Sequence, residues 1–112
     1  MSAAERGFNA KIFLCIDNAL GSLGEGVKQS FYHQLKERSN LTADKFATKP
    51  LELIGDLRDI LGTAGSSIVE KLIVREIRRS FGLNFHNGVR LSDAIAEAKK
   101  AFLVDAWDKE TQ

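Results

Sequence analysis

Apolar residues recur at steps of three and four along most of the chain, a spacing that places them on one face of an α-helix. The first such segment covers residues 8–20, and two glycines follow it. Glycine is unfavourable inside helices and common beyond their ends, so this helix is expected to stop there. A second helix is expected over 25–38, where Val27, Phe31 and Leu35 lie four residues apart. Runs that alternate apolar and polar residues, as strands do, are not evident.

The middle of the chain predicts two further helices, separated by Gly62. Residues 50–61 begin with a proline, which fits the first helical position because its missing N–H costs no hydrogen bond there. Residues 64–81 form the longest predicted helix, and their apolar side chains cover more than half of its circumference. Glu70 falls inside that apolar arc and Ile68 falls outside it, so the pattern has two exceptions.

A last helix is expected over residues 92–107, after a loop at 83–91. Ser92 is the predicted N-cap of this helix, and Asp93 would complement the positive end of its dipole. Together these segments predict one domain over residues 1–112. Its fold would be all-α, a compact bundle of about five helices around the long central helix.

Composition limits the classes of protein to which the chain can belong. Lys and Arg total 16 and Asp and Glu total 15, so a net charge of +1 gives no overall bias toward nucleic acid, membranes or acidic ligands. No apolar run approaches the roughly 20 residues of a membrane span, and the first residues are too charged for a signal peptide. A single cysteine allows no internal disulfide, which fits a reducing compartment. We expect a cytoplasmic protein with no membrane partner.

Candidate chemistry is sparse. His33 and His86 lie on different elements and lack metal spacing to a second ligand, so we expect His33 to be structural and His86 to be exposed. Cys15 lies on an apolar helical face, where a buried and unreactive thiol is expected. The glycine-rich segments lack the Gly-Lys-Ser/Thr of a phosphate loop, and the acidic residues are scattered. The sequence therefore predicts no catalytic residue, no metal site and no cofactor.

A basic face on the longest predicted helix is the most informative polar feature. Lys71, Arg75, Arg78 and Arg79 follow i, i+4, i+7, i+8 spacing, on an arc opposite the centre of the apolar face. Such an arc can be a solvated face that keeps a protein in solution. It can also bind phosphate or an acidic partner, and both interpretations stay open. These four residues are the predicted partner- or phosphate-binding site.

Six short motifs follow one another in the middle of the chain: Leu23-Gly24-Glu25, Tyr32-His33-Gln34-Leu35, Pro50, Leu61-Gly62 to Gly65, Glu70-Lys71 and Phe81-Gly82-Leu83. In this order and spacing, residues 20–83 resemble a small archaeal family, the Nitrosopumilus output domain. The resemblance implies a helical domain that is sometimes attached to signalling modules as their output. It brings no known substrate, cofactor or catalytic residue. The helix at 92–107 would be an extension beyond the shared part.

These observations and the resemblance favour a non-enzymatic module of unknown partner, with either an interaction role or a regulatory, signal-output role. Its partner would be another protein or a second copy of the chain. A homodimer is suggested by Phe13, Phe85, Phe102 and Trp107, which add apolar surface that a small bundle does not easily cover.

Two other functions stay open as alternatives. The first is a DNA-binding transcriptional regulator with a helix-turn-helix-like pair at 50–81. It is not favoured, because a recognition helix reads DNA with its first turns, whereas the basic residues here lie in the middle and at the end. The second alternative, a small enzyme, rests on no positive feature of the sequence.

Overall fold

Four α-helices and one short 3-10 turn make up the secondary structure of the computed structural model. The structure describes residues 2–111, with side chains described through residue 105. The elements are α1 (Ala3–Gly21), α2 (Glu25–Ser39), the 3-10 turn (Ala43–Lys45), α3 (Pro50–Phe81) and α4 (Leu91–Thr111). No strand occurs in this range, so the prediction of a compact all-α bundle is confirmed.

The predicted helix boundary at Gly62 is a kink inside a longer helix. Gly62 has φ 79° and ψ 175°, a conformation open essentially only to glycine. The backbone is helical on both sides of this one residue, so α3, 32 residues long over 50–81, consists of two helical segments that meet at a kink. The described residues therefore hold four helices, and the prediction of about five was wrong. The glycine marked a break in regular geometry, but one residue is enough to bend this helix without ending it.

Two helices share the central position, which corrects the prediction of one long central helix. Helix α1 contacts all of the other elements, whereas α3 contacts α1, α2 and α4 but not the 3-10 turn. The reason is that α1 is buried on every turn from Phe8 onward, through Phe8, Ile12, Cys15, Ile16, Ala19 and Leu20. An apolar face of this width is covered by neighbours from several directions.

Helix ends follow local signals in the sequence. Ser2 accepts a hydrogen bond from the backbone N–H of Glu5 at 3.1 Å, so α1 begins five residues before the predicted start. Asn40, in the left-handed region with φ 54°, follows the last residue of α2. Gly82, with φ 65°, ends α3 as predicted, since glycine adopts this conformation without a steric penalty.

Aromatic rings join the helices at two places. Phe8, Phe81 and Phe102 form one cluster between α1, α3 and α4, with ring centroids 5.6 to 6.2 Å apart. Phe13 packs against the rings of Tyr32 and Phe46 in the other cluster. These clusters bear on the predicted homodimer, because Phe13 and Phe102 contact rings of the same chain.

Of the four residues that suggested a dimer, Phe13, Phe85 and Phe102 are half-buried against the chain's own core. The side chain of Trp107 lies outside the described residues. The apolar surface predicted for a homodimer is therefore largely covered within one chain at those three positions. The reason is that the helices bring the three rings onto their own apolar faces.

Candidate functional site

A groove of about 580 Å³ lies between α3 and the loop that connects α3 to α4. Its volume is within the range of small-molecule binding sites. One wall is the side of α3 from Arg58 to Arg78, and the other is the loop from His86 to Arg90. Because the two walls come from separate parts of the chain, the groove exists only in the folded protein.

Three of the four predicted site residues line this groove: Lys71, Arg75 and Arg78. Arg79 is not part of the lining. Its guanidinium lies 3.8 Å from the carboxylate of Glu76, one turn earlier on the same helix. Arg79 sits at the edge of the predicted arc, about 100° from Arg78 around the helix axis, which places it on the next face.

Folding adds Arg58, Arg90 and His86 to the groove, and the sequence analysis missed all three. In a straight helix, Arg58 and Lys71 would point roughly 140° apart. The kink at Gly62 lies between them and brings both to the same groove. The pattern of α3 alone therefore could not have identified Arg58. His86 and Arg90 lie in a loop, where the helical spacing that identified the other cations is absent.

We call this site the basic groove and define it by five cationic residues: Arg58, Lys71, Arg75, Arg78 and Arg90. Among the described residues that line it, Glu70 is the only carboxylate. Five cations against one anion leave an excess of four positive charges with His86 neutral, whereas the whole chain has a net charge of +1. Positive charge is thus concentrated at this place.

Four of these cations form no ion pair with any side chain that the structure describes. Among the described side chains, Arg58, Lys71, Arg75 and Arg78 form no ion pair within 4.0 Å. Like charges that share a groove repel one another, and a bound anion would relieve that repulsion. The groove is therefore electrostatically suited to a negatively charged ligand.

The fifth cation, Arg90, is held in place by Glu70. Its Nε donates to Glu70 Oε2 at 3.0 Å, and its Nη2 lies 3.4 Å from Glu70 Oε1. Glu70 Oε2 also accepts a hydrogen bond from the backbone N–H of Leu91 at 2.8 Å. Leu91 is the first residue of α4, so a side chain from α3 caps this helix.

This cap accounts for Glu70, one of the two exceptions in the pattern of α3. Glu70 falls inside the apolar arc because it faces the start of α4, and its side chain is only 13% exposed. Ile68 falls outside the arc and is 59% exposed. The predicted cap, Ser92, lies one residue inside the helix, because α4 begins at Leu91 and the carbonyl of Arg90 accepts from Ala94 N–H.

Hydroxyl groups line the end of the groove nearest the kink. Ser66 donates to the carbonyl of Thr63 at 3.1 Å, so its proton is already used. Thr63 and Ser67 also line the groove, and their side chains make no hydrogen bond to other described residues. They can therefore donate to a ligand. The groove combines free cations with free hydroxyl donors, and this chemistry binds anions.

The other reactive side chains lie elsewhere. His33 is exposed on α2 and is not part of the groove, whereas His86 is exposed within it, as predicted. Cys15 is buried, as predicted, and this burial raises the pKa of its thiol despite a hydrogen bond with Ser80. Among the residues searched, all of them in the described part of the chain, no group of His, Cys, Asp or Glu is placed to hold a metal ion.

Comparisons with protein-family models, with curated proteins and with solved structures gave no match. The similarity of residues 20–83 to the Nitrosopumilus output domain family therefore stays a prediction. None of the helices, over their described residues, has the length and apolar character needed to cross a membrane.

Proposed function

We propose that this chain is a non-enzymatic interaction or regulatory module, and that its binding surface for an anionic ligand or partner is the basic groove. The observation that carries the proposal is the set of four cations without an ion pair among the described residues, all lining one groove. The resemblance of residues 20–83 to an output domain family points in the same direction.

A merely solvated basic face would explain less of this arrangement. A solvated face needs only the spacing of one helix, and Lys71, Arg75 and Arg78 satisfy that spacing. The groove also draws in Arg58 across a kink and Arg90 from a loop. Bringing these charges together costs electrostatic energy, which favours a role in binding over a role in solubility alone.

The side chains of the groove favour binding over catalysis. General acid–base chemistry needs a titratable group held by a hydrogen-bond partner near the substrate. His86 makes no hydrogen bond to another described side chain, and Glu70 is engaged by Arg90 and by the start of α4. Neither residue is set up as an acid or a base.

DNA binding is the second candidate, because a basic groove also attracts the phosphate backbone. The helix-turn-helix arrangement on which it was first based does not fit α3. That motif needs a turn of three to four residues between two helices at a steep angle. Only Gly62 departs from helical geometry between Pro50 and Phe81.

Affinity capture from native cell extract tests the proposal. The full chain would be immobilised beside a groove variant, Lys71→Glu with Arg75→Glu, and a control, Lys36→Glu with Lys100→Glu. The control residues are exposed cations that have no ion pair among the described residues and lie outside the groove. Far-UV circular dichroism would establish that all three chains are equally helical.

We expect the wild-type and control chains to retain the same protein partner, and the groove variant to lose it. The partner should survive nuclease treatment and be released by added salt, because screening weakens contacts between exposed charges. Identical capture by all three chains, or no specific capture by any of them, would contradict the proposal. Capture that disappears after nuclease treatment would favour DNA binding instead.

A further inference from the structure

We infer that the basic groove binds a compact ligand that carries two or three linked phosphate groups, such as a nucleoside polyphosphate or free polyphosphate. This inference rests on the proposed function and specifies its ligand. Three properties of the groove support it: the type of its cations, the excess of charge, and its shape between a helix and a loop.

The type of cation favours phosphate. Four of the five basic residues are arginines. Arg90 is engaged by Glu70, and the planar guanidinium groups of the other three can form paired hydrogen bonds with phosphate oxygens. Lys71, which lies between Arg58 and Arg75 along α3, adds a compact ammonium charge. Thr63 and Ser67 supply neutral hydroxyl donors beside Arg58, where the groove begins. Phosphate can use both kinds of donor because each group has several acceptor oxygens.

The amount of charge favours more than one phosphate group. The excess of four positive charges would be poorly matched by one carboxylate or one phosphate. Two or three linked phosphates carry charge of the same size and place it along a short chain. Lys71, Arg75 and Arg78 follow one another over about 10 Å of helix at 1.5 Å per residue, which suits such a chain.

The shape favours a small ligand over duplex DNA. The groove lies between a helix and a loop, and at about 580 Å³ it is the size of a site for a small molecule. The loop wall is tied to α3 by the pair of Glu70 and Arg90, so it is not free to swing away. Duplex DNA instead needs a surface that follows a long row of phosphates, and the chain as a whole has a charge of only +1.

Isothermal titration of the full chain with inorganic tripolyphosphate tests this inference. The groove variant is Arg75→Gln with Arg78→Gln, and the control is Lys36→Gln with Lys100→Gln. Each variant loses two exposed positive charges, so the two share the same change in net charge. Titrations at several salt concentrations would show how many ionic contacts each chain makes.

We expect wild-type and control chains to bind tripolyphosphate with affinities within about twofold of each other, and the groove variant to bind at least about tenfold more weakly. The groove variant should also show a weaker dependence on salt. No binding to the wild-type chain at low salt, or equal losses in both variants, would overturn the inference. Tighter binding of duplex DNA or of a polyglutamate peptide would overturn it too.

Titration with ATP separates the two sources of the phosphate chain, and either result supports the inference. Tighter binding of ATP than of tripolyphosphate would identify a nucleotide, whereas equal or weaker binding would identify the phosphates alone as the ligand. Phosphorus NMR of the incubated ligand should show no hydrolysis, because the proposed module is not an enzyme.

The two proposals fail separately. If tripolyphosphate does not bind but groove-dependent capture from extract persists, the ligand inference is wrong and the interaction module stands. If tripolyphosphate binds but no partner is captured, the ligand site stands and the interaction module is wrong.

Discussion

Replacing Glu70 should destabilise the protein more than replacing Glu76, another carboxylate of α3 that forms an ion pair. Glu70→Ala removes both contacts with Arg90 and the acceptor of the Leu91 N–H. The Arg90 side chain is 59% exposed, so the ion pair itself should contribute at most about 1 kcal/mol. The lost helix cap, with a partly buried N–H left unpaired, should cost about 1 kcal/mol more. The expected decrease in the free energy of unfolding is about 2 kcal/mol.

Urea unfolding would measure this change, since a shift of the midpoint at constant slope reports stability. Glu76→Ala is the matched control: Glu76 lies on the same helix, is 23% exposed and, among the described side chains, forms an ion pair with Arg79 alone. We expect it to cost no more than about 0.5 kcal/mol. Glu70→Gln should recover part of the loss, because its amide oxygen can still accept from Leu91.

Hydrogen exchange would locate the effect. The Leu91 amide should exchange faster in Glu70→Ala, because it loses its acceptor. The reasoning would be refuted if Glu70→Ala cost no more than Glu76→Ala. It would also be refuted if Arg90→Ala cost as much as Glu70→Ala, since the ion pair would then account for the whole effect.

Three further predictions concern the kink, one buried thiol and one partly buried tyrosine. Gly62→Ala should lower the free energy of unfolding by about 1–3 kcal/mol, because φ 79° with ψ 175° is strained for alanine. Gly55→Ala is the control on the same helix, because a Cβ added at Gly55 meets open space. It should raise the free energy of unfolding by up to about 1 kcal/mol. Equal effects of the two substitutions in urea unfolding would contradict the kink. The single cysteine, Cys15, is 2% exposed and burial raises its pKa, so a thiol reagent at pH 8 should react at least about 100-fold more slowly with native than with urea-unfolded chain. Comparable rates would show that the thiol is accessible. Burial and a 2.7 Å hydrogen bond to Asp17 raise the pKa of the single tyrosine, Tyr32, above its usual value of about 10. The protonated Tyr32 hydroxyl therefore stabilises the fold fully below pH 10. This stabilisation is lost as the pH rises toward the pKa that the hydroxyl has in the folded chain. Tyrosinate absorbance at 295 nm should appear at higher pH in the folded than in the urea-unfolded chain, and coincident titrations would contradict the buried hydroxyl.

Much of the fold could be predicted from the sequence because helices depend on neighbours close along the chain. The apolar spacing placed a helix at each observed segment, and Gly82 marked the end of α3. The start of α1 was missed because the first five residues of the helix, 3–7, which follow the Ser2 cap, carry no apolar spacing. At Gly62 the glycine itself was evident, but its neighbours along the chain do not determine whether a helix bends or ends.

Part of the candidate site could likewise be predicted from the sequence, and part of it could not. Lys71, Arg75 and Arg78 could be predicted because a helix of 3.6 residues per turn places them on one side. The sequence by itself thus determined the helices, their apolar faces and one row of cations. Only the tertiary structure decided that Arg58 and Arg90 join this row, because their positions depend on a bend and on a loop held by Glu70. Contacts between residues twenty positions apart leave no periodic trace, so they emerge only when the helices pack.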